Sequence, residues 1–425
     1  MSKWKIYTPE GVQDILAEEC FTKKKLEVKI RDMFTGHGYY EIEPPTLEFY
    51  DTFSAEPELI PQETMFEFFD PQGRILVLRP DITIPVARIA ATKYKDSCLP
   101  IKVCYIGNTF RYNELGGGKQ KEFTQAGVEI LGAVNPEADA EVIATAINTL
   151  KASGIKQFQV EIGQVDFFKG LIEDIGLNPK EIKKMCMLID NKDFFGIGIE
   201  RIINSHGINE ELKQLILELP RLFGSVDIID RVSKYPLSKR SLKALENLRK
   251  VVEILDDYGL TEHISIDLGM IQNLNYYSGI IFKGFTYGVG FPVLTGGRYD
   301  GLIEKYGKNC AATGFCANIN LIMMALDRHG IKSGTPSVFG LVCYSDGKRK
   351  DAVVFCDKLR ALGFSAELNI NSEPQPIKYA ESKNVEKIFN ILVDNKVEIF
   401  DVVSGSKHKE SIDELIAKLS IGGKV

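Results

Sequence analysis

The chain has no two cysteines at CxxC spacing and no histidines at HxH or HxxxH spacing. Its cysteines, at 20, 98, 104, 186, 310, 316, 343 and 356, are scattered, which fits neither a zinc site nor a compact disulfide framework. The histidines, at 37, 206, 263, 329 and 408, offer no pair to one metal. Reduced thiols in a cytoplasmic protein, with no structural or catalytic metal, are therefore expected. No apolar run approaches the roughly 18 to 20 residues of a membrane span. The start, MSKWKIYTPEGVQDI, lacks the basic and then apolar order of a secretory signal. Positive charge is short as well: the formal balance is -6, so no broad cationic field draws a nucleic acid.

What is present is ordinary globular material. At 425 residues, 44% hydrophobic and 26% charged, the chain can build two or three domains with substantial cores. Apolar spacing predicts a helix over Lys23 to Phe34, then Gly36, Gly38 and Pro44-Pro45 turn the chain into an extended segment. Strands are predicted over Arg74 to Leu78, Ile101 to Ile106 and Glu122 to Leu131, and helices over Pro85 to Lys93 and Pro136 to Ser153. From about 167 to 260 the periodicity is mostly helical and reads as an insertion. Strand patterns return in HISIDLGM, NYYSGIIFKGF and YGVGFPVL, before a helix over Asn318 to Arg328. HGIKSGTPS has linker composition, so we place a boundary between 1–330 and a small α/β domain at 331–425.

Two stretches are rich in glycine. Gly116-Gly117-Gly118-Lys119 is neither GxGxxG nor GxxxxGK[ST] and no helix follows it directly, which predicts a hairpin tip and not a phosphate loop. Thr295 to Gly301 reads as a loop after a strand, where Gly296 and Gly297 permit a tight turn or close approach to a ligand. Arg79, Asp81, Thr83, Arg111, Gln125 and Glu129 lie in or beside predicted strands. The even spacing of Gln125 and Glu129 puts both on one face. A zwitterion asks for such groups, oxygens for its ammonium and a guanidinium for its carboxylate. On residue types alone, a buried polar network or a surface ion pair accounts for them better.

The segments TPEGVQDI, GYYEIEPPTLE, LRPDITIPVAR, FRYNELGGGKQKEFTQAGVEILG, NLNYYSG, TGGRYDGL and TGF, in this order, resemble the histidyl-tRNA synthetase catalytic domain from about Tyr7 to Leu326. That resemblance implies an α+β class II aminoacyl-tRNA synthetase-like fold: an antiparallel sheet flanked by helices, dimerising through the helix and strand around Gly36 to Glu48. It also implies a histidine pocket. Asp81, where that family has glutamate, would hold the α-amino group with Thr83 and Gln125. Glu129 and Tyr277 would read the imidazole, whose N–H groups need acceptors. Tyr276, Gly296 and Gly297 would line the cavity, and Arg111 could hold a carboxylate or a phosphate.

The ATP side departs from the family pattern. Asn113 and Glu114 stand where it has glutamate and arginine, Gln272 replaces a catalytic arginine, and Leu321 replaces the third-motif arginine. Removing one positioned electrostatic partner commonly costs about 3 to 4 kcal/mol of transition-state stabilisation, so three losses leave little adenylation. A kept amino-acid side with lost cations is similar to the regulatory subunits of ATP phosphoribosyltransferase, at the first step of histidine biosynthesis. This implies a short-form catalytic subunit as partner, a self-dimer within a hetero-oligomer, histidine as ligand and allosteric feedback. No cofactor, no catalytic residue and no independent catalysis are expected. The competing expectation is an active histidyl-tRNA synthetase with atypical motifs. The C-terminal segment resembles a shortened anticodon-binding domain, but 336–425 holds 13 acidic and 13 basic residues, poor footing for a phosphate backbone, so a nucleic-acid partner is not expected.

Overall fold

The computed structural model describes residues 3–57, 59–112, 120–192, 195–204, 206–271, 274, 276–331, 334–370 and 375–422. The chain packs as two compact units, Met1–Asp14 with Lys23–Lys332, and Ile15–Thr22 with Ser333–Val425. In the first, helix α1 (Ala17–Gly36) buries Leu26, Ile30 and Phe34, four residues apart on one face. Strands β1 (Tyr40–Glu41) and β2 (Leu47–Phe49), helix α2 (Asp51–Ser54), strands β3 (Phe66–Phe69) and β4 (Ile75–Leu78) and helix α3 (Thr83–Thr92) follow. β2, β4 and β3 form a small antiparallel sheet. Next come β5 (Ile101–Phe110), β6 (Glu122–Leu131), α4 (Pro136–Ser153) and β7 (Phe158–Gln164). Proline in the first turn of α4 loses no ladder bond, and Gly154, at φ 98°, ends that helix in the left-handed conformation that glycine adopts freely.

Helices α5 (Val165–Ile175), α6 (Pro179–Asp190), α7 (Ile197–Ile203) and α8 (Glu210–Glu218), strand β8 (Phe223–Gly224), and helices α9 (Asp227–Val232) and α10 (Lys239–Asp257) make the insertion. It is not purely helical, because β8 adds to the edge of the main sheet beside β9 (Ile264–Asp267). β10 (Ile280–Thr286), β11 (Leu294–Arg298), β12 (Ala312–Asn318) and α11 (Ile319–Arg328) complete the unit. The nine-stranded sheet runs β1-β5-β6-β12-β11-β10-β7-β9-β8 and is antiparallel apart from the β1–β5 and β7–β9 pairs.

Three sequence expectations are corrected. YGVGFPVL is a turn up to residue 293, and β11 begins only at Leu294. Gly296 and Gly297 are strand residues, not a loop. β11 runs between two strands that press rings against it, and a Cβ on Gly296 would sit 2.4 Å from Phe282 Cζ and 2.5 Å from Phe315 Cβ. β7 and β12, which no pattern announced, fill out the sheet. α3 starts at Thr83, two residues ahead of Pro85.

Alternation divides the packing between the sheet faces. Ala126, Val128 and Ile130 of β6 join one core with α1, α4, the insertion helices and α11. Gly127 and Glu129 point the other way, beside a second core built from α3, Val103, Tyr105 and Tyr299.

The second unit holds β13 (Val338–Tyr344), α12 (Arg349–Ala361), β14 (Ala366–Leu368), α13 (Pro376–Ser382), β15 (Val385–Ile391), β16 (Lys396–Asp401), β17 (Lys407–Ser411) and α14 (Ile412–Ser420). Its sheet runs β14-β13-β15-β16-β17, parallel among the first three strands and antiparallel after them. Val342, Phe355, Phe389, Ile399 and Leu415 form its core.

Candidate functional site

A cavity of about 450 Å³ opens on the Glu129 face of the main sheet, and Asp81, Thr83, Arg111, Gln125, Glu129, Tyr276, Tyr277, Gly296 and Gly297 all line it. Strand register explains the grouping. Val103, Glu129, Gly314, Gly297 and Ile281 lie opposite one another across β5, β6, β12, β11 and β10. Tyr105, Gly127, Cys316, Thr295 and Lys283 form the next row on the same face, and Gly107, Gln125 and Asn318 the one after. The glycines in the Glu129 row make the floor deep. A Cβ on Gly314 would fall 1.6 Å from Glu129 Oε2, and one on Gly297 would fall 2.7 Å from Tyr277 Cε1.

Glu129 is fully buried. Its Oε1 accepts from the Tyr105 hydroxyl at 3.2 Å and its Oε2 from the Tyr299 hydroxyl at 2.5 Å, while Tyr105 Oη also meets Thr83 Oγ1 at 3.3 Å. Burial pushes its carboxyl up to about 8, Asp81 adds to the rise, and the hydroxyl donors offset part of it. Tyr276 stacks on Tyr299 and meets Tyr277 edge-on, with ring centroids 5.6 and 4.8 Å apart. The Tyr277 carbonyl accepts from Lys169 Nζ of α5 at 2.9 Å, so the insertion grips this wall directly.

Asp81 Oδ1 accepts from the Ile84 N–H in the first turn of α3, at 3.1 Å, and its Oδ2 lies 3.5 Å from Arg111 Nη2. Arg111 Nε donates to the Pro80 carbonyl at 2.7 Å. Among the described residues Gln125 Nε2 reaches only Cys316 Sγ, a weak acceptor, at 3.8 Å, and Gln125 Oε1 is buried without a partner. A buried acceptor without a donor costs about 1 to 3 kcal/mol, a debt that a ligand ammonium would relieve. The Cys316 thiol is pushed up to about 12 by burial and is inert as a nucleophile.

The remainder of the cavity is walled by Phe123, Phe291, Pro292, Val293 and Leu321, with Gln120 and Asn318 beside them. Leu321 is buried, and Asn318 Oδ1 caps its N–H at 3.1 Å. Asn320 Oδ1 accepts from Thr124 N–H at 2.9 Å and its Nδ2 donates to Gln120 Oε1 at 2.7 Å, tying α11 to β6. Asn113, Glu114, Gly116 to Gly118, Lys119 and Gln272, singled out from the sequence, lie outside the described residues. Arg79, grouped with the site by sequence, is buried and bonded to the carbonyls of Asn108 and Pro44 instead.

Sequence reasoning missed Tyr105, Tyr299, Cys316, Gly314 and Lys169. Tyr299 and Gly314 lie in TGGRYDGL and TGF, segments that already carried the resemblance, whereas Tyr105 reaches Glu129 only through the β5–β6 register. Among the described residues no cluster of metal-ligand side chains occurs, and no helix is long and apolar enough to cross a membrane.

This sheet, with an amino-acid-sized polar floor, defines a protein of the histidyl-tRNA synthetase-like class II fold, and the histidyl-tRNA synthetase family profile matches residues 11–322. A histidyl-tRNA synthetase of Nostoc shares the fold at a TM-score of 0.82 with 21% identity, over 99% of this chain and all of that one. Within that class, the chain belongs to the ATP phosphoribosyltransferase regulatory subunit family. It is 59% identical to the member from Acetivibrio thermocellus over 98% of this chain and 100% of the relative, and 52% identical to that of Ruminiclostridium cellulolyticum over 98% and 99%. The solved regulatory subunit/histidyl-tRNA synthetase of Bacillus halodurans superposes with a TM-score of 0.81 at 30% identity, over 91% of this chain and 98% of that one.

Proposed function

We propose that this regulatory subunit of ATP phosphoribosyltransferase binds free histidine in the sheet cavity and conveys its presence to a separate short-form catalytic subunit, whose activity it completes. The observation that carries the reading is that Gln125, whose Oε1 is buried with no partner among the described residues, lines the same cavity as Glu129 and Tyr299, with Tyr105 bonded behind Glu129. In this reading Asp81, Thr83 and Gln125 receive the α-ammonium, Arg111 the carboxylate, and Glu129 and Tyr277 the ring, between Tyr276 and the Gly296-Gly297 strand. The chain activates no amino acid by itself, since the three cations that adenylation would use are absent from its sequence. It forms a self-dimer through the region around Gly36 to Glu48, within a hetero-oligomer that works in the cytoplasm as part of a glycosyl transfer.

Feedback requires different histidine affinities in the active and inhibited assemblies. Mixing the purified chain with a short catalytic subunit should give a complex and raise phosphoribosyl transfer, and histidine should lower it. No complex and no change in rate would sink the reading. Robust histidine-dependent exchange of pyrophosphate into ATP would favour an active synthetase instead.

A further inference from the structure

Glu129 is a fully buried acid that no ion pair reaches among the described residues. The groups acting on it come from every wall: Asp81 ahead of α3, Tyr105 on β5, Tyr299 after β11, Tyr276 and Tyr277 before β10, and Cys316 on β12. Tyr39, ahead of β1, also interacts with it. Burial raises the three cavity-lining tyrosines and the thiol, as it does Tyr105 and Tyr39, so all stay uncharged through neutral pH. The neighbouring Asp81 carboxyl already faces Arg111 at 3.5 Å. Among the described residues the pocket floor thus holds a buried acid, a buried Gln125 Oε1 without a donor and no cation in contact with the acid.

We propose that Glu129 meets the ligand as a carboxylic acid and hands its proton to the ligand's ring nitrogen, so that the site selects a heterocycle that is itself a base near neutral pH. The inference rests on the histidine reading above and deepens it. The proton leaves a Glu129 oxygen and arrives on the second ring nitrogen, turning a neutral acid and a neutral imidazole into a carboxylate and an imidazolium. No proton is exchanged with solvent in that step. The new pair lies at the floor, where Glu129 is fully buried and the attraction is stronger than in water, and the two tyrosine hydroxyls already point at the carboxylate that forms.

The pH behaviour follows from counting one shared proton. A free imidazole side chain titrates near about 6.5, and burial holds Glu129 up to about 8. Between those limits ring and acid together hold one proton, as the bound pair does. More acidic than the window, both are protonated and binding releases a proton. More alkaline, both are deprotonated and binding takes one up. Affinity is therefore highest inside the window and falls on either side, by about tenfold per unit once well outside it.

Titration calorimetry of the full chain with histidine, in buffers of different ionisation enthalpy, reads this directly. At about pH 6 most of a proton should be released, at about pH 7.2 almost none exchanged, and at about pH 8.5 most of one taken up. Triazolylalanine has the same α-amino group and nearly the same shape but a ring that is not a base near neutrality. It should bind at least about tenfold more weakly at neutral pH and show no ring-linked proton exchange. Glu129→Gln should abolish the uptake at alkaline pH, and the two-ligand comparison on the unaltered chain stands even if that variant folds poorly. Equal affinity for the two ligands, or histidine binding without proton exchange at either extreme, overturns the proton transfer and leaves the histidine reading intact. No histidine binding at any pH overturns both.

Discussion

The two parts of the cavity solve opposite problems with the same sheet. Around Glu129 the polar atoms are buried and tightly wired to tyrosines, and Gln125 Oε1 lacks a donor among the described residues. Around Leu321 the walls are apolar, and the polar side chains, Asn318, Asn320 and Gln120, are spent on one another and on the backbone. A floor that leaves an acceptor unsatisfied fits the proposed ligand, whose ammonium would remove the deficit. A wall whose polar groups satisfy one another serves the fold. Where the resemblance would assign the third-motif segment a phosphate contact, its Asn320 here clasps α11 to β6.

The contrast can be broken at several points. The largest effect is expected from Gly314→Ala, whose Cβ would collide with Glu129 Oε2. Histidine binding should be lost in calorimetry while far-UV circular dichroism still reports the sheet, and retained binding would remove Glu129 from the site.

Next comes the pH dependence of stability without ligand. Glu129 keeps its proton up to about 8 in the fold, whereas an unfolded glutamate loses it near about 4.3. Over that window the folded state holds more protons, so Glu129 erodes stability as pH rises. The melting temperature of the unaltered chain should therefore fall relative to Glu129→Gln between about pH 5 and pH 8, by an amount worth a few kcal/mol. Parallel melting curves would contradict the buried acid.

Gln125→Leu separates binding from stability. Histidine affinity should weaken by about 10- to 100-fold, while the melting temperature holds or rises because an unpaired buried acceptor has gone. A variant that melts lower and binds normally would reverse the assignment of the two parts.

The smallest effect belongs to Asn320→Ala. Losing its bonds to Thr124 and Gln120 should cost about 1 kcal/mol of stability and leave histidine affinity within about threefold. A large loss of affinity would mean that the apolar part also touches the ligand.

Much of the site was legible from local pattern. β6 and α4 begin and end where periodicity placed them, at Glu122 and Leu131, and at Pro136 and Ser153. The even spacing of Gln125 and Glu129 does put both into the cavity. The family motifs marked Asp81, Thr83, Arg111, Tyr276 and Tyr277, which the cavity gathers from three separate stretches of chain. The Gly-rich segment misled because glycine is ambiguous on its own. It marks a turn where the backbone must bend, and a strand where neighbouring rings leave no room for a side chain, and only Phe282 and Phe315 show which case applies.

The sequence by itself determined the strand and helix periods, since these depend on neighbours a few positions away, and through its resemblance it marked the residue types on which the histidine reading rests. Tertiary structure alone decided that Gly314 faces Glu129, that Tyr105 and Tyr299 hold its two oxygens, and that Gln125 Oε1 is left without a donor among the described residues. Those pairings join residues as much as 185 positions apart through strand register, and register is set by packing of the whole sheet, because sliding one strand by one residue would turn every one of its side chains to the other face.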